Sequence, residues 1–388
     1  MKRIQFFCGS LAPGKDGVGD YTRRLAAELI GMGYAVAIVA THDKVTPELV
    51  SGTQAADGTS VSVVRIPYAT TENERTHLLQ AAIDEFDPDW LSLQYVPYSF
   101  NAYGLPLSFA RKLRTLRNRG KWHVMFHELW IDQRGLLTPK DTTISLLQRL
   151  AAVAVVRSLR PEIRHTHLPG YQNKLRSLGI QTQPLPLFPN ISPVNRPVTL
   201  PSQETFRLGF FSQMDLREEI LTLIRKLMQW TDSQQKTLEI FLMGGSESKS
   251  RETSATLNEL FPGATIHALG FMPSEEISQI MASLNLGITP VPYHAIGKSG
   301  TVAAFLSHGV PVAAPWKTER SPSFFSPELT AAVLQTFSAP ALRAATEAAA
   351  VLDTTTISVQ GVARRFTADL GLAPSHQPTE FSAFSRPQ

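Results

Sequence analysis

Apolar and polar positions along this chain follow two alternating periods. Strand-length apolar runs at 3–8, 35–40, 61–66, 90–94, 122–126 and 153–157 are separated by stretches whose apolar residues recur every three or four positions. The first such stretch, 18–32, sets Tyr21, Leu25, Ala26 and Leu29 on one stripe, and 76–85 and 107–119 predict further helices. A second series of the same plan starts with a strand at 206–211. It continues through a helix at 218–230, a strand at 238–243, a helix at 250–260, a strand at 265–269, a helix at 274–282 and a strand at 286–290. A helix at 301–308, a short strand at 311–314 and an Ala-rich helix at 340–352 complete it. Strands alternating with helices predict βαβ units and mostly parallel sheets.

Pro184, Pro186, Pro189, Pro193, Pro197 and Pro201 fall between the two series, a density that continues neither a helix nor an interior strand. The expected organisation is therefore an α/β chain of two doubly wound domains, 1–188 and 205–373, joined by a Pro-rich linker at 189–204 and followed by a loose tail at 374–388 rich in Pro, Ser and Gln.

Composition narrows the class. Hydrophobic residues make up 43% and charged residues 18% of 388, as in a soluble globular protein, and no uninterrupted apolar run approaches the roughly eighteen residues of a spanning helix. Cys8 is the sole cysteine, which excludes an internal disulfide, and the apolar start is too short for a signal peptide, so the expected location is the cytoplasm. A net charge of +4 suits an anionic substrate, an anionic membrane surface or no particular partner. No nucleic-acid partner is expected, because no helix-turn-helix, zinc-finger or RNP-like pattern accompanies the charge. The histidines are scattered without metal-ligand spacing, so no metal and no cofactor are expected.

Two loops carry candidate chemistry. Gly17, Val18 and Gly19 lie between the first strand and the first helix, where the reading divides between a plain turn and a phosphate cradle of backbone N–H groups. The second loop follows the strand that ends near Pro290. There Lys298, Ser299, Gly300 and Thr301 bring an ammonium group and the start of a helix to one point, outside the carboxyl end of a strand, where ligands of open α/β sheets bind. That combination suits a diphosphate.

These segments resemble GT-B glycosyltransferases, and within them the mostly retaining family 4. The resemblance rests on the stretches 270–277, 281–290 and 307–312, on Gly17-Val18-Gly19 with the helix that follows, on His127-Glu128 at a strand end, and on Pro189-Asn190-Ile191. It covers about residues 1–365 and implies two Rossmann-like domains facing across a cleft, with a nucleoside-diphosphate sugar as co-substrate. The implied reaction moves a hexosyl unit to a sugar, lipid-linked or other hydroxyl acceptor with retention. It also implies that Gly17–Gly19 face phosphate, that Lys298, Gly300 and Thr301 hold the donor diphosphate, and that His127 sits beside the reacting sugar.

The chain departs from the family where the family carries an Arg and a Lys after the first strand of the second domain. Gln213 and Glu218 stand there, with Arg217 as a candidate replacement cation. The family's paired glutamates are missing as well: one position falls on His294 or Ile296, the other on Ala304, which fits a branch with a Lys-Ser-Gly-Thr loop. His294, Gln213 and Arg217 are thus the candidates for the donor's sugar and nucleotide. The departures keep open a catalytically silent nucleotide-binding partner, and the fold alone also admits an epimerase or a phosphorylase.

Other residues keep two readings. Glu128 and Asp132 serve either as acceptor base or as solvated loop charges, and the aromatic loop with Tyr95 and Tyr98 lines an acceptor pocket or fills the core. His308 reads as a packing residue. The basic run from Arg111 to Arg119 shares a helix with Leu105, Phe109, Leu113 and Leu116, and is either the solvated face of a sheet-covering helix or a surface for anionic lipid.

Overall fold

The computed structural model describes residues 1–131, 138–194, 203–212, 214–316 and 324–372. By contact density the chain divides into two compact units: Met1–Arg164 with the chain from Ala363 onward, and His165–Val362. Asp132, Gln213, half of the Pro-rich linker and the tail lie outside the described residues.

The first unit opens with β1 (Arg3–Cys8), α1 (Gly17–Gly31), β2 (Ala35–Asp43), β3 (Val50–Ala56), β4 (Thr59–Pro67), α2 (Glu72–Phe86) and β5 (Trp90–Tyr95). It continues with the single turn α3 (Pro97–Phe100), α4 (Leu107–Leu113), β6 (Lys121–Phe126) and α5 (Pro139–Leu159). β7 (Ile163–Thr166), α6 (Pro169–Arg176) and β8 (Gln183–Pro184) follow, and the sheet order is β3-β4-β2-β1-β5-β6-β7-β8. β1 is central, parallel to both β2 and β5, and Ile4, Phe6, Phe7 and Cys8 are fully buried, as expected of a strand covered on both faces.

Strand pairing thus carries the first sheet to Pro184, near the expected end of the first domain, while the contact boundary falls inside β7. The expected second domain, 205–373, divides elsewhere too: its last helix, from Ala363, belongs with the first unit, where Phe366 stacks on Phe6 at 5.8 Å and meets His123 edge-on at 5.1 Å.

Two local expectations in this unit are corrected. Residues 153–157 are helical, not a strand, because they extend the helix that Thr138 and Asp141 start with reciprocal side-chain caps; a short apolar run has no period of its own to decide the matter. The helix expected at 107–119 ends at Leu113, and Thr115 and Leu116 turn back onto the carbonyls of Lys112 and Leu113. The β3–β4 hairpin was signalled by Asp57-Gly58, both at positive φ (46° and 77°), the Asp-Gly pair that a two-residue hairpin turn requires.

The second unit carries β9 (Thr205–Phe211), α7 (Glu218–Ser233), β10 (Thr237–Met243), α8 (Glu247–Leu260), β11 (Thr265–Gly270), α9 (Ser274–Ala282) and β12 (Leu286–Ile288). A 3-10 turn (Tyr293–Lys298) leads into α10 (Gly300–Ser307), β13 (Val312–Ala313), α11 (Pro327–Ala331), β14 (Val333–Leu334) and α12 (Ala339–Ala350), and a second turn (Thr355–Ile357) into α13 (Val359–Asp369). Its sheet runs β11-β10-β9-β12-β13-β14. Leu208 and Phe210 pack under Ile220, Leu223 and Leu227 of α7, while Phe211, Met243 and Met281 join Val302 and Phe305 of α10 in a separate cluster.

Strand order reverses once in each sheet, beside its first strand: between β1 and β5, and between β9 and β12. In open α/β sheets the crevice outside the carboxyl ends at such a reversal is where ligands bind.

Candidate functional site

In the second unit, three loops meet at the reversal. β9 is followed by Ser212, a non-glycine residue held at φ 65°, whose N–H donates to the Met243 carbonyl at 2.9 Å. A left-handed backbone outside glycine is uncommon and gathers at functional sites. From β12 the chain passes into the turn 293–298 and delivers Lys298 just before Ser299, whose hydroxyl accepts from the Val302 N–H at 3.3 Å to cap α10. Lys298 is half-buried, with its Nζ 3.3 Å from the Tyr171 hydroxyl and 5.7 Å from that ring; Lys174 approaches the same ring at 5.6 Å. Nearby His167 is buried with Nδ1 2.9 Å from the Leu185 carbonyl, and burial, aided by the Lys298 charge, pushes its pKa down to about 3. It is a neutral imidazole at ordinary pH.

Gly300 and Thr301 are buried at the start of α10. The Asn190 N–H donates to the Gly300 carbonyl at 3.2 Å, and the Asn190 carboxamide occupies the space that a Cβ on Gly300 would need. Gly300→Ala is therefore expected to cost about 1–3 kcal/mol by overpacking. Asn190→Ala in the same chain should recover part of that loss, a coupling that a double-mutant cycle in chemical denaturation measures.

Arg217 precedes α7 with its guanidinium 3.9 Å over the Trp316 ring and its Nε donating to Asp215 at 2.8 Å. The Tyr293 N–H donates to the Trp316 carbonyl at 3.1 Å, so the segments after β9, β12 and β13 converge on Trp316. Glu218 is exposed and pairs with Arg225 at 2.7 Å. His294 is half-buried in the 3-10 turn. Ile296 and Ala304 are fully buried core residues. A mainly apolar cavity of about 440 Å³ adjoins this turn, lined among others by His167, Leu187, Gly297, Phe324 and Leu352.

In the first unit, His127 follows β6 with only 5% of its surface exposed. Gln94 donates from Nε2 to Ser92 Oγ at 2.7 Å, which turns its Oε1 toward His127 Nε2 at 2.8 Å, so Nε2 carries the proton and donates. Tyr21 of α1 meets the same ring edge-on at 5.0 Å. Glu128 is exposed, its N–H 3.5 Å from the Tyr95 carbonyl.

The expected phosphate cradle at Gly17, Val18 and Gly19 is corrected here. The Gly19 N–H donates to the Asp16 carboxylate at 2.7 Å and Val18 also bonds to it, while the Gly14 N–H donates to Asp20 at 3.2 Å. The helix start is capped by the chain's own carboxylate, and burial raises the Asp16 pKa. An incoming phosphate would meet a carboxylate in place.

Tyr95 is corrected from acceptor contact to core: it is 1% exposed, its ring packs on Phe100 and Phe126, and among the described residues its hydroxyl has no hydrogen-bond partner. Tyr98 stays at the surface, 37% exposed, beside Gly104. His308 packs, with Nε2 2.8 Å from Ser278 Oγ and Nδ1 2.7 Å from the Ala304 carbonyl. Among the described residues no group of three or more His, Cys, Asp or Glu side chains is placed to hold a metal. Ser212, Tyr171, His167 and Trp316 went unmarked in the sequence. Only Trp316 had a signal, an aromatic just past a predicted strand end.

No family model and no curated protein matches this sequence. Solved structures match over nearly its whole length. Anabaena Alr3699/HepE in complex with UDP and glucose is 14% identical with a TM-score of 0.58, covering 96% of this chain and 100% of that one. The lipopolysaccharide outer core galactosyltransferase WaaB, in its apo form, is 10% identical with a TM-score of 0.56, covering 95% and 99%. A UDP-GlcNAc 2-epimerase from Neisseria meningitidis bound to UDP-GlcNAc is 11% identical with a TM-score of 0.51, covering 95% and 99%. At such identities the likeness establishes the fold: two Rossmann-like α/β units built on parallel sheets, the GT-B fold.

Proposed function

We propose that this protein is a glycosyltransferase that moves a hexosyl unit from a nucleoside-diphosphate sugar to an acceptor hydroxyl, with retention at the anomeric carbon. The observation that carries the proposal is the loop from Tyr293 to Thr301: next to the strand where the sheet order reverses, one segment supplies both an ammonium group and a helix start. Breaking the sugar–phosphate bond concentrates negative charge on the departing diphosphate. Fixed donors and a cation at that point lower the barrier because they strengthen as the charge grows. Lys298 supplies the cation and Gly300 and Thr301 the amides, with Arg217, braced on Trp316, as a second positive group. In the first unit, His127, held by Gln94, and the exposed Glu128 are the residues proposed to serve the acceptor hydroxyl, Glu128 as its base. The bound UDP and glucose of the Anabaena structure support a nucleotide sugar as donor.

Purified protein should gain thermal stability from one nucleoside diphosphate and its sugar in a panel of such ligands, since a ligand of the folded state raises apparent stability. With an added acceptor it should then release nucleoside diphosphate and glycosylated acceptor in equal amounts. The epimerase among the structural neighbours supports a second reading. An epimerase would interconvert two nucleotide sugars with no acceptor present, and that outcome would replace the transferase assignment.

A further inference from the structure

We propose that the outer face of α4 and α5 seats this protein on an anionic lipid bilayer. The inference is independent of the transferase reading and starts from an apolar surplus on α5. By length and composition α5 is apolar enough to cross a membrane, yet only 33% of its apolar window is buried. Ser145, Gln148, Ala151, Ala152, Val155 and Leu159 form its buried stripe, which is all that a sheet-covering helix needs. On the opposite side Leu146 and Leu150 are 57% and 53% exposed, one turn apart, and Arg157 continues the same face.

α4 packs alongside α5. Its own apolar side chains, Phe109 and Leu113, and Leu116 beyond it are buried, so the basic run has no apolar face of its own to insert. It contributes charge instead. Arg111, Arg114, Arg117 and Arg119 are exposed, as are Arg157 and Arg160, and among the described residues none of the six has a carboxylate partner in an ion pair. Between Leu105 and Arg160 the sequence holds eleven arginines and lysines against three carboxylates, whereas the whole chain is only +4. The stretch that carries this excess includes α4 and α5, which pack together, and Arg157 shares the helix face of the exposed leucines. Leucines entering the acyl boundary with arginines at the level of anionic headgroups is the combination by which amphipathic helices lie on bilayers. The leucines favour a bilayer over a nucleic acid, which would use the charge and leave them in water.

The test is co-sedimentation of the full chain with vesicles of phosphatidylcholine alone and of phosphatidylcholine with phosphatidylglycerol, at about 0.1 M and about 0.5 M salt. Binding is expected only with phosphatidylglycerol and should weaken at the higher salt. The Leu146→Glu/Leu150→Glu and Arg111→Glu/Arg114→Glu variants should each bind at least about tenfold more weakly with unchanged thermal unfolding, since all four side chains face solvent. Absence of binding, equal binding to neutral vesicles, or variants that bind like the parent would each overturn the proposal. So would a lipid-free sedimentation shift in the leucine variant alone, which would assign the face to a second copy of the chain.

Discussion

Lys298→Ala is expected to lower kcat/KM for sugar transfer by about 10²–10³-fold, equivalent to about 2.7–4 kcal/mol of transition-state stabilisation, the usual cost of removing one fixed charge-stabilising group. The ammonium group stands at the end of the 3-10 turn, one residue before the α10 cap, so the substitution removes charge without disturbing the backbone that presents Gly300 and Thr301. Nucleoside-diphosphate affinity should fall with turnover, because part of the charge is already present on the bound nucleotide. Folding should be nearly unaffected, since Lys298 is only half-buried and its hydrogen bond to Tyr171 is long, at 3.3 Å. Calorimetry showing parental nucleotide affinity in the variant would remove Lys298 from the diphosphate site while leaving the fold assignment untouched.

Asp43→Ala is expected to destabilise the first unit by about 3–5 kcal/mol, the cost of stripping one partner from a buried ion pair. Asp43 ends β2 with a fully buried side chain. One oxygen accepts from Arg65 Nε at 2.8 Å and from the Leu11 N–H at 3.0 Å, and the other from the Val45 and Thr46 N–H groups at 3.0 and 3.3 Å. The carboxylate thereby ties the loop after β1 to the neighbouring strand ends. Burial alone would raise its pKa, but Arg65 and the Leu11 and Val45 amides outweigh burial and hold it at about 2.

The sign of the pH effect follows. A carboxyl group with a depressed folded pKa stabilises fully above its unfolded value near 4, and this contribution, on the order of 2–3 kcal/mol, disappears as pH falls from about 4 to about 2. Denaturant unfolding of parent and variant should therefore show a gap that is wide at neutral pH and narrows below pH 4. A gap that stays constant down to pH 2 would mean the carboxylate is not held as described.

Legibility in the sequence depended on whether a feature is encoded locally. The alternation of periods marked the central strands, and Ser274–Ala282 and Arg3–Cys8 fall within the expected bounds, because a strand buried on both faces must be apolar throughout and a layer helix must carry a stripe. The hairpin at Asp57-Gly58 was equally legible but overlooked. Residues 153–157 were not decidable alone, since so short an apolar run fits a buried strand or a helix until the cap at Thr138 is considered. Within the candidate site, the Lys298–Thr301 loop was visible as a polar, glycine-containing stretch after a strand. The partners that define it, Tyr171, Asn190, His167 and Trp316, come from elsewhere in the chain.

By itself, then, the sequence determined the α/β class, two consecutive βαβ series and the loop that joins a lysine to a helix start. These depend on hydrophobic period and on Gly and Pro placement, which act over a few residues. The Asp16 cap on the first helix is local as well, three residues from the amide that it holds. Tertiary structure alone decided that Tyr95 is core, that the chain from Ala363 joins the first unit, and that α5, with its surplus leucines, packs against α4. Each of those outcomes turns on which groups far apart in sequence share the same buried volume or the same surface, and no local pattern encodes that.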